Sequence, residues 1–571
     1  MNESPLQPRS ASVRRPRLVW ILAAIIVVHG GVRLWLITHN EVIAQDGTYY
    51  LQMAKQWSTD PKGAMKDYVV HPGYPVAVVS ALWLMTGDSH STDLDQWSRA
   101  GQAVSLAAGI LTVAGVWVFA GMVFGDWRIA FLAAMLFGLG RKFAALGAEV
   151  LSDSLMLCFA MWALVAALAA AGRLRHKSWG MTGWAAAVGV LGGCAYLVRP
   201  EGLVVLPAAI LLWAVVKLVR RGRWSIMLSA AAVAVLAALV CVLPYMLTVG
   251  GLTAKWKMTE FGVGGAGPVV GTDPSAGHET VYPVESSVAV RLVGRFFEAQ
   301  QPILASLTCV YILLLAVSRL GKRTESLRGA VPPPGLAGGL LIVVCWVLIA
   351  PLIALRYRAT GAMSHRYLML PAAMMAGFAP AALVSLVRLG GSVLERKGPS
   401  RFTRFLLPGA VVVLSVILLV HTLRPLHTKQ VFAKNAGLWL AERIQPEDAL
   451  LTDQFYVMYY SQARKGLFLE ENSVRNRLAR NPELTRLKLL QNILERGGDR
   501  PFRFVAMTGR ETDATTEKTA SLLEGLGFVR VAAFPCISAR GAKAKRTIHV
   551  YQKKPTKGSD RIPTTFPPDP L

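Results

Sequence analysis

Residues 225–248 read SIMLSAAAVAVLAALVCVLPYMLT, twenty-four positions with no formal charge, and Arg221 and Arg223 stand just before them. A hydrocarbon core of about 30 Å requires about 20 apolar residues in a helix, so this run is long enough to cross one. Working outward, ten further runs of similar character lie at 18–37, 100–122, 128–147, 150–171, 180–198, 202–219, 301–318, 336–355, 366–387 and 405–424. The chain therefore reads as a polytopic α-helical membrane protein with about eleven transmembrane helices. The run at 128–147 is the least regular, because Arg141 and Lys142 cut it short.

Composition agrees with a lipid solvent. Of 571 residues, 53% are hydrophobic and only 17% charged, whereas a water-soluble chain carries about 25% charged residues. The deficit is uneven. From Lys429 onward there are 24 Lys and Arg and 15 Asp and Glu in 143 residues, about 27%, against about 13% in the preceding 428. Four segments follow: a basic N-terminus at 1–17, expected in the cytoplasm; a transmembrane body at 18–425 with long loops at 38–99 and 249–300; an aqueous domain at 429–555; and a proline-rich tail at 556–571, expected to be disordered. Within the aqueous domain, strand-like stretches at 449–452, 502–506, 528–533 and 547–552 alternate with helical spacing at 436–444 and 518–526, which suggests a small α/β fold.

The net charge of +27 does not imply nucleic acid, since the Lys and Arg gather in short loops between apolar runs, as membrane topology dictates. The six cysteines have no CxxC spacing, so neither a disulfide framework nor a zinc site is suggested. The first run follows Arg9, Arg14, Arg15 and Arg17 and reads as an uncleaved anchor with its N-terminus inside. Alternate loops then carry the basic clusters Arg173 to Lys177, Lys217 to Arg223, Arg319 to Arg328 and Arg388 to Arg404. An odd number of crossings places the C-terminal domain outside, on a cell (inner) membrane. Residues 72–85, apolar but too short to span, read as a juxtamembrane helix.

With that topology the unusual polar residues share the outer side: Asp46, His71, Glu149, Asp153, Arg199, Glu201, Arg356, His365 and Arg366. Boundary charges are costly and point to function by default. Each has a plainer reading. Asp46 is placed to cap a helix, and the prolines and glycine of His71-Pro72-Gly73-Tyr74-Pro75 suit a helix start. Glu149 and Asp153, four apart, should share one helix face. Arg199 and Glu201, in the turn Arg199-Pro200-Glu201-Gly202, could pair only with each other. Arg356, Arg358 and Arg366 in one outer loop break the positive-inside bias and require a partner, for which the planar donors of arginine make phosphate a natural choice.

This order of motifs resembles the GT-C superfamily of polytopic glycosyltransferases, such as protein O-mannosyltransferases and the aminoarabinose transferase of lipid A. The resemblance covers about residues 15–425. It rests on Asp46 in an Asp-x-x-Tyr-Tyr setting, the His-Pro-x-Tyr-Pro stretch with His71 and Tyr74, the acid pair, the Arg-Pro-Glu-Gly turn, and Arg366-Tyr367 leading to Pro371. It implies a polyprenyl-phosphate sugar as donor, catalysis outside the membrane, and Asp46 and Asp153 as the functional acids, with Glu149 close behind. Two departures stand out: Gly47 where the family often has a second acid, and Ala148 where an arginine often precedes the later acid. A divalent metal at Asp46 and Asp153 is compatible with this set but not required by it.

The chemistry agrees. A phosphosugar already has a good leaving group, so one carboxylate must accept the proton of the attacking hydroxyl and positive charge must steady the departing phosphate. Asp46 is assigned as base and Arg366, helped by Arg199 or Arg356, as phosphate clamp; a single displacement inverts the anomeric carbon, for hexose and pentose alike. The acceptor, whether protein, lipid or glycan, is not legible. The glycine-rich 249–300 loop has the length of a lid or acceptor-binding segment. The rival reading is a multi-pass transporter or lipid flippase, which predicts ionisable groups at mid-membrane; only His29 and Arg33 in the first run meet that description.

Overall fold

The computed structural model describes residues 15–68, 70–173, 179–220, 224–253, 287–320, 329–360, 363–395, 403–463, 465–469, 474, 485–496, 502–509, 513–536 and 546–554. Two units are present: 1–39 with 46–425, and 40–45 with 426–571. Of the 249–300 loop expected as a lid or acceptor-binding segment, residues 254–286, its glycine-rich part included, lie outside the described residues, as does the tail at 556–571, while Val288–Gln300 is helical.

The first unit is helical. Its elements are α1 (Arg15–Thr38), α2 (Gln45–Thr59), α3 (Pro61–Asp67), α4 (Gly73–Thr86), α5 (Leu94–Phe124), α6 (Trp127–Gly138), α7 (Arg141–Leu146), α8 (Ser152–Gly172) and α9 (Trp179–Val198). There follow α10 (Val205–Arg220), α11 (Trp224–Val249), α12 (Val288–Gln300), α13 (Pro302–Leu320), α14 (Leu336–Thr360), α15 (Met369–Met374), α16 (Phe378–Glu395) and α17 (Thr403–Thr422). Short 3-10 turns, Pro200–Val204 and His365–Leu368, precede α10 and α15. Among the described residues nine helices are long and apolar enough to cross a membrane, and the pair His365–Met374 and Phe378–Gly390, bent by 50°, makes a tenth when taken as one span. The protein is a multi-pass membrane protein. The short apolar run at 72–85 is α4, as its length required.

The run at 128–147 departs from expectation: it is not one helix but α6 and α7, broken at Leu139 and Gly140. Gly140 is extended (φ −62°, ψ 121°), and the charges beyond it turn aside. Arg141 donates to the carbonyls of His421 and Arg424 at 2.8 and 3.1 Å, and Lys142 pairs with Glu298 at 2.7 Å. The broken segment still returns along α5, since Gly121 near one end of α5 faces Ala130, and Gly101 near the other faces Val150. A second departure concerns Arg356 and Arg358, expected in a loop after a span ending at 355; α14 continues to Thr360 and carries both.

The second unit contains α18 (Val431–Ala441), β1 (Ala449–Thr452), α19 (Phe455–Tyr460), β2 (Lys465–Phe468), α20 (Arg486–Arg496), β3 (Phe502–Gly509), α21 (Ala514–Gly525), β4 (Phe528–Pro535) and β5 (Thr547–Lys553). The sheet order is β2-β1-β3-β5-β4, with β1 parallel to both β2 and β3, and β5 antiparallel to β3 and β4. Leu451, Val505, Met507, Leu523, Phe528 and Tyr551 form its core, an alternation of strand and helix residues that buries one face of the sheet. Lys434 of α18 donates to the Glu41 carbonyl at 2.8 Å, which fastens the 40–45 segment to this unit.

Asp453, directly after β1, is buried. Burial pushes its carboxyl up to about 6, against the opposing pull of hydrogen bonds from Thr508 and the nearby Arg486. Because folding favours the protonated form, that contribution is complete below about pH 4 and is lost as pH rises through 6. The stability of this unit is expected to fall by about 3 kcal/mol over the window. Hydrogen exchange of β1 and β3 against pH measures it; an unchanged slope in Asp453→Asn would refute the assignment to this residue.

Candidate active site

Val150 organises the first half of the site. It sits between Gly47 of α2 and Gly101 of α5, so tightly that a Cβ on Gly47 would lie 2.6 Å from the Val150 carbonyl oxygen and one on Gly101 2.7 Å from its Cγ1. The departure noted at Gly47 thus has a steric cause: no side chain fits there. Gly47→Ala is expected to cost about 1–3 kcal/mol and to displace Asp46, so transfer falls further than stability; melting temperature and turnover measured together test this.

Hydrogen bonds hold the same turn. Tyr50 and Ser152 share one at 2.6 Å, Ser105 donates to the Leu151 carbonyl at 3.2 Å, and Tyr74 donates to the Gly101 carbonyl at 2.9 Å while lying edge-on to Tyr50. Burial pushes the Tyr50 phenol up to about 12 and the Tyr74 phenol up as well, so both stay protonated donors at neutral pH.

Asp153 follows in the first turn of α8, where the helix dipole favours an anion. Its side chain is 1% exposed and saturated with donors. Arg199 gives Nη1 to Oδ1 at 2.8 Å; Arg366 gives Nε to Oδ2 at 3.1 Å and bonds the same oxygen through Nη2. Arg366 also reaches Asp46 Oδ2 through Nη1, so one guanidinium bridges the two acids. Asp46, at 15% exposure, is the more accessible carboxylate. Arg199 Nε further pairs with Glu201 at 3.3 Å, Arg356 with Glu201 at 3.8 Å, and both arginines lie near the Tyr367 ring, at 5.8 and 4.4 Å from its centroid. Among the described residues, three carboxylates and three guanidiniums, equal in formal charge, are therefore joined in one chain.

The sequence-derived residues divide. Asp46, Asp153, Arg199, Glu201, Arg356, Arg366 and Tyr367 converge. Glu149 does not share a helix face with Asp153, which is a correction: α8 begins at Ser152, and Glu149 lies in the preceding turn, buried, bonded through its N–H to the Ala145 carbonyl and through its own carbonyl to Leu151 N–H. His71 sits apart, with Nδ1 donating to the Tyr196 carbonyl at 2.8 Å and Nε2 accepting from Thr253 at 3.0 Å, among the rings of Tyr196 and Tyr245. His365 pairs with Glu298 at 3.3 Å. Glu298, which sequence reasoning did not single out, also binds Lys142 and Arg295; burial alone would raise its carboxyl, but those cations hold it at about 2. Tyr50 and Ser152 were missed too, although Tyr50 belongs to the Asp-x-x-Tyr-Tyr stretch.

The residues do not fit a divalent metal between Asp46 and Asp153. The Arg366 guanidinium occupies that position, and among the described residues no group of three His, Cys, Asp or Glu converges on one point.

Residues 89–247 match the model of the dolichyl-phosphate-mannose-protein mannosyltransferase family. No curated protein matches the chain. Among solved structures, ArnT from Cupriavidus metallidurans bound to undecaprenyl phosphate is 14% identical, with 94% of this chain and 98% of that one covered at a TM-score of 0.52. The chain has the GT-C glycosyltransferase fold. The apo form of the same ArnT gives 15% identity, the same coverage and a TM-score of 0.53. AglB from Archaeoglobus fulgidus, in complex with an inhibitory peptide and a dolichol-phosphate, gives 14% identity, 93% and 74% coverage and 0.54. The similarity in GT-C fold extends through both units of the chain, beyond the segment that the family model covers.

Proposed function

We propose that this protein is a membrane glycosyltransferase that moves a sugar from a polyprenyl-phosphate donor to an acceptor hydroxyl, on the outer side of the cell membrane, with inversion. The observation that carries the reading is the guanidinium of Arg366 held between Asp46 and Asp153 at the ends of apolar helices. The two acids have different roles. Asp153 is saturated by Arg199 and Arg366 and nearly sealed from solvent, so it positions the arginines. Asp46 accepts from Arg366 through Oδ2, which leaves Oδ1 for an incoming hydroxyl.

In the reaction the hydroxyl oxygen forms a bond to C1 of the sugar as the bond from C1 to the phosphate oxygen breaks. The hydroxyl proton passes to Asp46, and the leaving phosphate gains the negative charge. Arg366, with Arg199 and Arg356 alongside, offers donors to that charge. Because Arg366 and Arg199 are already paired with carboxylates, the phosphate displaces a carboxylate from its donors. Relatives in fold hold undecaprenyl phosphate and dolichol-phosphate, as expected of a donor whose apolar tail lies between helices.

The test is turnover by purified protein, in lipid, of a polyprenyl-phosphate sugar carrying a labelled sugar. Appearance of free polyprenyl phosphate together with labelled acceptor supports the reading. Movement of the intact phosphosugar across vesicles, with no cleavage, would replace it with transport.

A further inference from the structure

A cavity of about 220 Å³ opens in the second unit at the carboxyl ends of β1 and β3. From β1 the chain leads to β2 on one flank, and from β3 through α21 to β4 on the other, so the cleft lies where the connections diverge. Open α/β sheets take their ligands at that point. The cleft is polar at its base. The Asp453 side chain, 7% exposed, accepts from the Thr508 N–H at 2.9 Å and its hydroxyl at 3.1 Å, with Arg486 Nη2 at 3.3 Å. Thr516 and Thr519 of α21, Arg546, His549 and Tyr551 are among its other lining residues.

The charges decide the class of ligand. Among the described residues two carboxylates, Asp453 and Asp513, line the cavity along with two guanidiniums, Arg486 and Arg546, and the His549 imidazole, so a phosphate or carboxylate meets repulsion as well as attraction. A hydroxyl group both donates and accepts, and can satisfy an aspartate and an arginine from one position. The volume lies below the roughly 300–1,000 Å³ of pockets for drug-sized molecules. That room suits one pyranose ring.

We infer that the cleft between β1 and β3 binds one ring of a neutral saccharide. In a transferase such a ring belongs to an acceptor glycan; that assignment rests on the function proposed above, whereas the binding itself does not.

The experiment uses the full-length protein in lipid nanodiscs, free of sugar-headed detergent. Saturation-transfer NMR is recorded with the methyl glycosides of mannose, glucose, galactose and N-acetylglucosamine, and with inorganic phosphate as competitor. At least one glycoside is expected to show transfer, with affinity reduced tenfold or more by Arg486→Ala, whose side chain is half exposed, and by Thr519→Trp, which fills the cleft. Asp46→Asn is expected to keep the signal. Silence from all four glycosides, equal affinity in both cleft variants, or displacement of the sugar by phosphate would each overturn the inference. Absence of turnover by the unsubstituted protein on the polyprenyl-phosphate sugar, with the glycoside signal intact, would count against the proposed function alone.

Discussion

Asp46→Asn is expected to lower sugar transfer by about 10²- to 10⁴-fold, the range associated with loss of a general base. Asparagine preserves the shape and can still accept from Arg366, so the α2 helix and the bridge geometry survive. What disappears is the ability to take the hydroxyl proton as C1 is attacked. Donor affinity should not fall, since the substitution removes a negative charge that competes with the phosphate for Arg366. Stopped-flow or single-turnover transfer, set beside equilibrium donor binding, separates the two quantities. Equal turnover in both forms would remove Asp46 from the chemistry.

The second large effect is at Arg366. Arg366→Met should abolish detectable transfer, with a loss of at least about 10²-fold as for other donors to a developing oxyanion, and should also destabilise the helical unit by about 3–5 kcal/mol. The reason is visible in the bridge. Without the guanidinium, Asp153 retains Arg199 but Asp46 loses the partner that it shares with Asp153, and two carboxylates approach each other with reduced compensation. Arg366→Lys should not rescue either property, because an ammonium cannot present Nε and both Nη groups to two acids at once. Thermal unfolding combined with donor binding checks the claim; a stable Lys variant with normal turnover would refute it.

Much of this was legible in the residues. Charge-free runs mark the helical body, and the rise in charged residues after Lys429 marks the second unit, whose strands β1, β3, β4 and β5 fall on the strand-like stretches of the sequence. Asp46, Asp153, Arg199 and Arg366 were recognised as unusual because charge at a span end is costly. Their mutual bonding was not, since they are separated by up to 320 positions and no local pattern encodes which guanidinium meets which acid. The reading of 128–147 as one unbroken helix erred for a related reason: apolar composition reports what lipid tolerates, while the break at Leu139 and Gly140 is set by tertiary partners of Arg141 and Lys142. Glu149 and Asp153 misled in a further way. Spacing of four implies a common face only inside a helix, and α8 begins between them. Gly47 shows the converse, a departure from family pattern whose cause, contact with the Val150 carbonyl, lies in another part of the chain.

Residues 40–45 belong with a unit whose remaining chain starts at 426, some 380 positions later. A ribosome working at about 5–20 residues per second delivers the second part roughly 20–75 s after the first. For that interval the short segment waits beside the nascent helices with its eventual neighbours not yet made. Biogenesis must therefore finish the apolar body before the polar unit can close, and a fragment starting at 426 would lack the Glu41 carbonyl on which Lys434 fastens.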